Sequence, residues 1–252
     1  MVHLEDLVRY GDDLLEIASF KDYCPNGLQV QGQRNVEIIV TGVTANLALI
    51  KKAIELKANV LLVHHGYFWK GEQASITGMK YHRIKHLLDA DMSLVAYHLP
   101  LDAHPLYGNN VQLAQKIGIT IDGNVSQNNE PGLLFYGRLD KPIIASTFAK
   151  VISQKLDREP LHINVNNNNI QTIAWCTGAA QNYISMALDL GVDAFITGEI
   201  SEQTVHIATE SNIHLFAAGH HATERYGVES LGRHLSERFS LQNYFIDIDN
   251  PV

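Results

Sequence analysis

Sulfur, positive charge and long apolar runs are all scarce in this chain, and each shortage removes a class of function. Its 252 residues include two cysteines, Cys24 and Cys176. They form no metal-type spacing, and a reducing cytoplasm is the simpler home for such a chain. Lys and Arg number 19 against 27 acids, a formal net charge of -8, which argues against a sequence-independent grip on nucleic acid. No apolar run approaches the roughly 20 residues of a membrane span. The opening residues, Met1-Val2-His3-Leu4-Glu5-Asp6, lack the basic-then-apolar order of a signal peptide. Gly42 and Gly178 lie in no phosphate-loop pattern and read as strand-to-helix turns. What the chain does have is 46% hydrophobic residues, enough to bury a large core in one domain or two lobes.

The apolar spacing predicts an opening helix from Leu4 to about Ile17, then a turn at Pro25-Asn26-Gly27 and a short strand from Leu28. Strands are expected at Ile38–Val40, Val60–Val63 and Leu94–His98. Helices are expected through Leu47–Leu56, Lys80–Leu88 and Asn110–Ile117, the last with Asn110 as N-cap and Gly118 as stop. The tail Tyr244–Ile248 reads as a final strand, and the asparagine-rich stretch from Asn164 to Asn169 as a solvated turn. Strands alternating with helices imply mainly parallel sheets.

The second half repeats this grammar. Ile173-Ala174-Trp175-Cys176-Thr177-Gly178 echoes Ile38-Ile39-Val40-Thr41-Gly42, and Ala187–Ile196 echoes Ala53–Leu62. In that register His64-His65 align with Gly198-Glu199, and His98-x-x-x-Asp102 with His220-x-x-x-Glu224. The expectation is an α/β protein of two related lobes with helix-flanked, mainly parallel sheets. The lobes are placed at 1–125 and 126–252, joined in the polar stretch from Asp122 to Gly132. A metal site is expected between them at the carboxyl ends of the strands, where open α/β sheets bind ligands.

Three apolar segments end in imidazole: Val60-Leu61-Leu62-Val63-His64-His65, Leu94-Val95-Ala96-Tyr97-His98 and Leu215-Phe216-Ala217-Ala218-Gly219-His220. Neutral imidazole is the commonest metal ligand. Adjacent strand residues diverge, so His64 and His65 suit two neighbouring ions, or one ion and a supporting role, better than one shared ion. His220 and Glu224 fall on one helix face if a helix starts there, with His221 pointing elsewhere. Pro100 disfavours helix between His98 and Asp102, leaving Asp102 on a loop, as a ligand or as a turn carboxylate. Two histidines, an aspartate and a histidine–glutamate pair make a nitrogen and oxygen donor set. It suits zinc, iron, manganese or nickel, and five donors suit two ions better than one. His98 and Glu199, also at strand ends, are candidates for contacting substrate or steadying a ligand. Tyr67, Phe68 and Trp69 read as an aromatic wall, as core, or as a subunit interface.

The segments Val63-His64-His65-Gly66-Tyr67-Phe68-Trp69, His98-Leu99-Pro100-Leu101-Asp102-Ala103-His104, Thr197-Gly198-Glu199 and Ala218-Gly219-His220-His221-Ala222-Thr223-Glu224 resemble the Nif-three-like family. Its members are often labelled type 2 homologues of GTP cyclohydrolase I. The likeness runs from Tyr23-Cys24-Pro25-Asn26-Gly27 to Asp247-Ile248, in the short bacterial form that lacks the inserted domain. It implies a dinuclear metal site at His64, His65, Asp102, His220 and Glu224, two divalent ions per chain, and a ring-shaped homohexamer. It also implies hydrolysis of a nucleotide or other small molecule, with metal storage or delivery, or an interaction scaffold, as the non-catalytic alternative.

Overall fold

The structure, a computed structural model, describes residues 1–127 and 130–252. The chain begins with β1 (Val2–His3), α1 (Leu4–Leu14), β2 (Gly27–Val30), β3 (Asn35–Val36), β4 (Ile38–Thr44), α2 (Leu47–Glu55) and β5 (Val60–His65). Next come α3 (Gly78–Asp89), β6 (Ser93–Ala96), α4 (Leu99–Ala103), α5 (Asn109–Ile117), β7 (Thr120–Gln127) and β8 (Glu130–Ile144). Then follow α6 (Ala145–Leu156), β9 (Leu161–Ile163), β10 (Asn169–Cys176), α7 (Ile184–Asp189) and β11 (Ala194–Thr197). The last elements are α8 (Glu202–Glu210), β12 (His214–Ala217), α9 (His220–Phe239) and β13 (Gln242–Phe245).

Two compact units result: Met1–Gly108 with Gly227–Asp249, and Asn109–Tyr226 with Asn250–Val252. The first carries a five-stranded sheet in the order β13-β4-β5-β6-β2, parallel except for the antiparallel edge strand β2. Val60, Leu61, Leu62 and Val63 are all buried, as a parallel strand covered on both faces requires. Helix α2 is started by Asn46, whose side chain accepts from the Leu49 N–H at 2.9 Å. One face of the sheet packs Val40, Leu61, Val63, Leu94 and Ala96 against Leu49, Ile50 and Leu87. In the cluster of the other face, Ile39, Val60, Leu62 and Val95 join Leu4 and Leu7 with Val228, Leu231 and Leu235 of α9.

The second unit holds a six-stranded sheet, β7-β8-β10-β11-β12-β9. Its central β10, β11 and β12 are parallel, while β8, β7 and β9 are antiparallel additions. Each unit therefore has a parallel three-strand core, β4-β5-β6 in one and β10-β11-β12 in the other, and the repeated sequence segments fall in corresponding strands.

Four local expectations are corrected. The stretch from Asp122 to Gly132 is no linker: it lies within the β7–β8 hairpin of the second unit, with Asn128 and Asn129 outside the described residues. The units instead divide at Gly108–Asn109 and Tyr226–Gly227; polar turn residues look alike in hairpins and linkers. Asp102 lies on a short helix, because Pro100 occupies its first turn, where the missing N–H is not needed. Gly42 sits inside β4 and not in a turn, and a Cβ there would lie 2.8 Å from Leu49 Cδ1, so it permits α2 to close on the sheet. The last strand is Gln242–Phe245, two residues earlier at its start than the apolar tail suggests.

Candidate metal centre

In the first unit His64 and His65 are the last two residues of β5, and His98 follows β6 after a buried tyrosine. The neighbouring rings do not diverge: their centroids stand 4.5 Å apart. His64 is fully buried, and its Nδ1 lies 2.8 Å from the Tyr97 carbonyl oxygen. A carbonyl only accepts, so Nδ1 carries a proton, and Nε2 is the ring atom that offers a lone pair when the ring is neutral. That Nε2 faces Asp102 Oδ1 at 3.5 Å. Neutral imidazole nitrogen and carboxylate oxygen are both electron-pair donors, an arrangement that a cation between them satisfies. His65 Nδ1 is 3.2 Å from the Thr44 hydroxyl of the adjacent strand.

His98 is held by a carboxylate, Nδ1 to Asp22 Oδ1 at 2.7 Å. Burial pushes the Asp22 carboxyl up, but its bond to His98, the His98 charge, Asn26 and the Tyr23 N–H outweigh that and bring it below its ordinary value. One donor atom from each of His64, His65 and His98 lies within 4.8 Å of the others, a group able to hold a metal ion. Trp69 lies edge-on to His98 at 4.9 Å and 5.9 Å from His65. Tyr67, by contrast, is a core residue whose hydroxyl donates to the Ala45 carbonyl at 2.6 Å, and Phe68 is exposed.

In the second unit α9 begins at His220, so His220 and Glu224 share a helix face as their spacing suggests. His220 Nε2 stands 3.0 Å from Glu224 Oε2, and its Nδ1 is 2.7 Å from Glu199 Oε1. Burial disfavours a charged His220 ring, but Glu224 and Glu199 prevail and raise its pKa to about 9. A metal ion at Nε2 would therefore displace a proton. Glu199, which follows β11, is the acceptor that orients this ring. Gly178, just past β10, makes the room: φ is +70°, and a Cβ there would fall 3.4 Å from His220 Nε2 and inside contact of the Glu224 carboxylate. His221 is buried, with its backbone N–H on the Val252 carbonyl oxygen at 3.0 Å.

The donor chemistry fits a divalent ion with nitrogen and oxygen preference. His64, His65, His98 and His220 each have Nδ1 on a protein partner, the outer-shell pattern that sets tautomer and ring orientation in metal sites. Sequence reasoning missed Asp22 and Thr44, which no motif announces because they act through other side chains.

The sequence profile of the family described as Duf34/NIF3 (NGG1p interacting factor 3) matches residues 2–251, and the chain belongs to that family. It is 52% identical over 251 residues to a Pseudomonas aeruginosa protein called GTP cyclohydrolase 1 type 2 homolog, covering 100% of this chain and 99% of that one. An Escherichia coli K12 protein of the same name is 49% identical over 250 residues, 99% and 98% of the two chains. Among solved structures, a structural-genomics protein of unknown function, ybgI, matches with TM-score 0.95 and 48% identity over the whole of both chains. A Thermus thermophilus protein matches with TM-score 0.88 and 32% identity, again over both whole chains. Among the described residues, no helix is long and apolar enough to cross a membrane.

Proposed function

We propose that His64, His65, Asp102, His220 and Glu224 hold two divalent metal ions and that the chain is a metal-dependent hydrolase. The observation that carries this reading is the outward anchoring of the imidazoles, above all His64, whose Nδ1 is held by the Tyr97 carbonyl while its Nε2 faces the Asp102 carboxylate. The donor set contains no thiolate and suits zinc, iron, manganese or nickel. When bound, a metal pair supplies Lewis-acid charge and lowers the pKa of water toward neutrality.

The chain's own residues supply position. The Tyr97 carbonyl and Thr44 hold His64 and His65, while Glu199 holds His220. Trp69, beside His65 and His98, offers an aromatic face to a planar substrate. The name carried by the curated relatives supports a nucleotide as that substrate, with opening of the guanine imidazole ring as the reaction. The family likeness also supports a ring-shaped homohexamer, which sedimentation of the purified protein measures.

The test combines elemental analysis and anomalous scattering on protein purified without chelator with an assay of nucleotide ring opening and phosphoester cleavage. Two ions per chain and turnover abolished by Asp102→Asn, with fold and metal loading controlled, are expected. A single ion on other residues overturns the dinuclear reading. Full loading with no turnover across the screen, and ready release of metal, makes this a storage or delivery protein.

A further inference from the structure

The second unit carries a polar cleft of about 370 Å³ that none of the candidate metal ligands lines, a volume within the roughly 300–1,000 Å³ of small-molecule sites. One wall is a face of α6, where Ser146, Lys150, Ser153 and Gln154 recur at helical spacing. The other is the chain entering β9, which supplies Glu159 and His162. An apolar ligand would find little to bury itself against there.

His162 is set before any ligand arrives. Its ring stacks on buried Phe216, with centroids 4.3 Å apart and planes 16° from parallel. Its hydrogen-bond polarity is set as well, by a chain that starts in the asparagine-rich turn. The Asn168 N–H donates to Asn166 Oδ1 at 2.8 Å, and Asn166 Nδ2 donates to Asn212 Oδ1 at 2.9 Å, which fixes the orientation of the Asn166 amide. His214 Nε2, 3.1 Å from that Oδ1, is therefore a donor. The Nδ1 of a neutral His214 then accepts from His162 Nε2 at 3.3 Å. Burial holds both imidazoles below their ordinary pKa, His162 at about 4 with His214 beside it. A neutral His162 that donates inward through Nε2 offers Nδ1, on the other side of the ring, as an acceptor.

Charges of both signs line the same space. Among the described residues, the side chains of Lys150 and Glu159 pair neither with each other nor with any other residue. A simple anion drawn to Lys150 would also meet the Glu159 carboxylate and an imidazole lone pair. A simple cation drawn to Glu159 would meet the Lys150 ammonium. A small molecule bearing both charges satisfies all three groups at once.

We propose that this cleft binds a free α-amino acid, its carboxylate on Lys150, its ammonium on Glu159, and one ammonium hydrogen on His162 Nδ1. The Ser146 and Ser153 hydroxyls and the Gln154 amide, each able to donate and accept, remain for the side chain of the ligand.

The experiment titrates the whole protein, labelled with ¹⁵N-histidine, with each standard amino acid in turn to about 10 mM. At least one is expected to shift the His162 Nδ1 resonance saturably while leaving that of His64 in place, which separates binding in the cleft from chelation at the metal centre. Calorimetry then measures that amino acid against variants and analogues. Lys150→Met and Glu159→Gln should each weaken it about three- to tenfold, the worth of one partly exposed charge pair. Its methyl ester and its N-acetyl form, which each lack one of the charges, should bind the unaltered protein correspondingly less well. Lys150 and Glu159 are exposed, so both variants should fold, and circular dichroism checks that they do. An unmoved His162 resonance with every amino acid overturns the proposal. So does binding that survives both substitutions, or an N-acetyl form that binds as tightly as its parent.

Discussion

Gly178→Ala puts a single methyl group where the second unit keeps its carboxylate. Two costs follow. The residue has φ +70°, a left-handed conformation that costs an L-residue about 1–2 kcal/mol. The new Cβ would also lie 2.9 Å from Glu224 Cδ. The backbone cannot give way: the Gly178 carbonyl accepts from Gly198 at 2.9 Å and Glu199 at 3.2 Å, and its N–H donates to the Thr223 hydroxyl at 3.1 Å. The Glu224 side chain must therefore move, breaking its 3.0 Å pairing with His220. A charge-assisted bond of that kind is worth about 1.5–3 kcal/mol. Expected destabilisation of the metal-free protein is thus about 2.5–5 kcal/mol, read from urea unfolding. Gly191→Ala is the control, since Gly191 has φ +66° with nothing within 4 Å of its added Cβ. It should show the backbone cost alone and bind metal normally, whereas Gly178→Ala should bind metal more than tenfold less tightly. Equal stability losses and equal metal affinities in the two variants would refute the placement of the Glu224 carboxylate.

Three further outcomes are expected. Glu224→Ala should lose more metal affinity in calorimetric titration than Glu199→Gln, because the first removes a donor and the second only the acceptor that orients His220; the reverse order would exchange their roles. His162, pushed down to about 4 by burial and by the neighbouring His214, is favoured neutral in the fold. Its stabilising contribution is complete above an unfolded value near 6.5 and is lost as pH falls toward 4. For this half-buried ring, screening reduces the effect to about 1–2 kcal/mol. His162→Gln should flatten the pH dependence of unfolding between those limits, and an unchanged profile would remove His162 from the account. Asn46→Ala should cost about 1 kcal/mol of stability by removing the side-chain acceptor at the start of α2; no change in the denaturation midpoint would mean that water replaces it.

The parts of this protein legible in its sequence are those governed by short-range rules. Buried runs such as Val60–Val63 give parallel strands, and the four-residue step from His220 to Glu224 gives one helix face. Gly118, with φ +81°, stops α5 as its lack of a side chain suggests. The duplicated order of segments identifies the corresponding strands of the two units. What is not legible depends on contacts distant in sequence. Asp22 reaches His98 across 76 positions and Thr44 reaches His65 across 21, and neither carries a local pattern. Alternation along a strand predicts that the neighbouring rings of His64 and His65 part, but it governs the middle of a strand; at the end of β5, Tyr97 and Thr44 set their directions instead. Hairpin β7–β8 reads as a join because its polar residues satisfy both descriptions.

Helix α9 has a consequence for how the polypeptide is made. Its first residues belong to one unit, while Val228, Leu231 and Leu235 complete a core of the other. Synthesis proceeds from the N-terminus, so the first 108 residues leave the ribosome with that core open and wait through the whole of the intervening 109–226 segment. The later-made unit can close first and the earlier-made one last. A ribosome stalled before residue 227 would display Ile39, Val60 and Leu62 with α1 in place but without the α9 side chains that complete their cover, a surface for chaperones to hold.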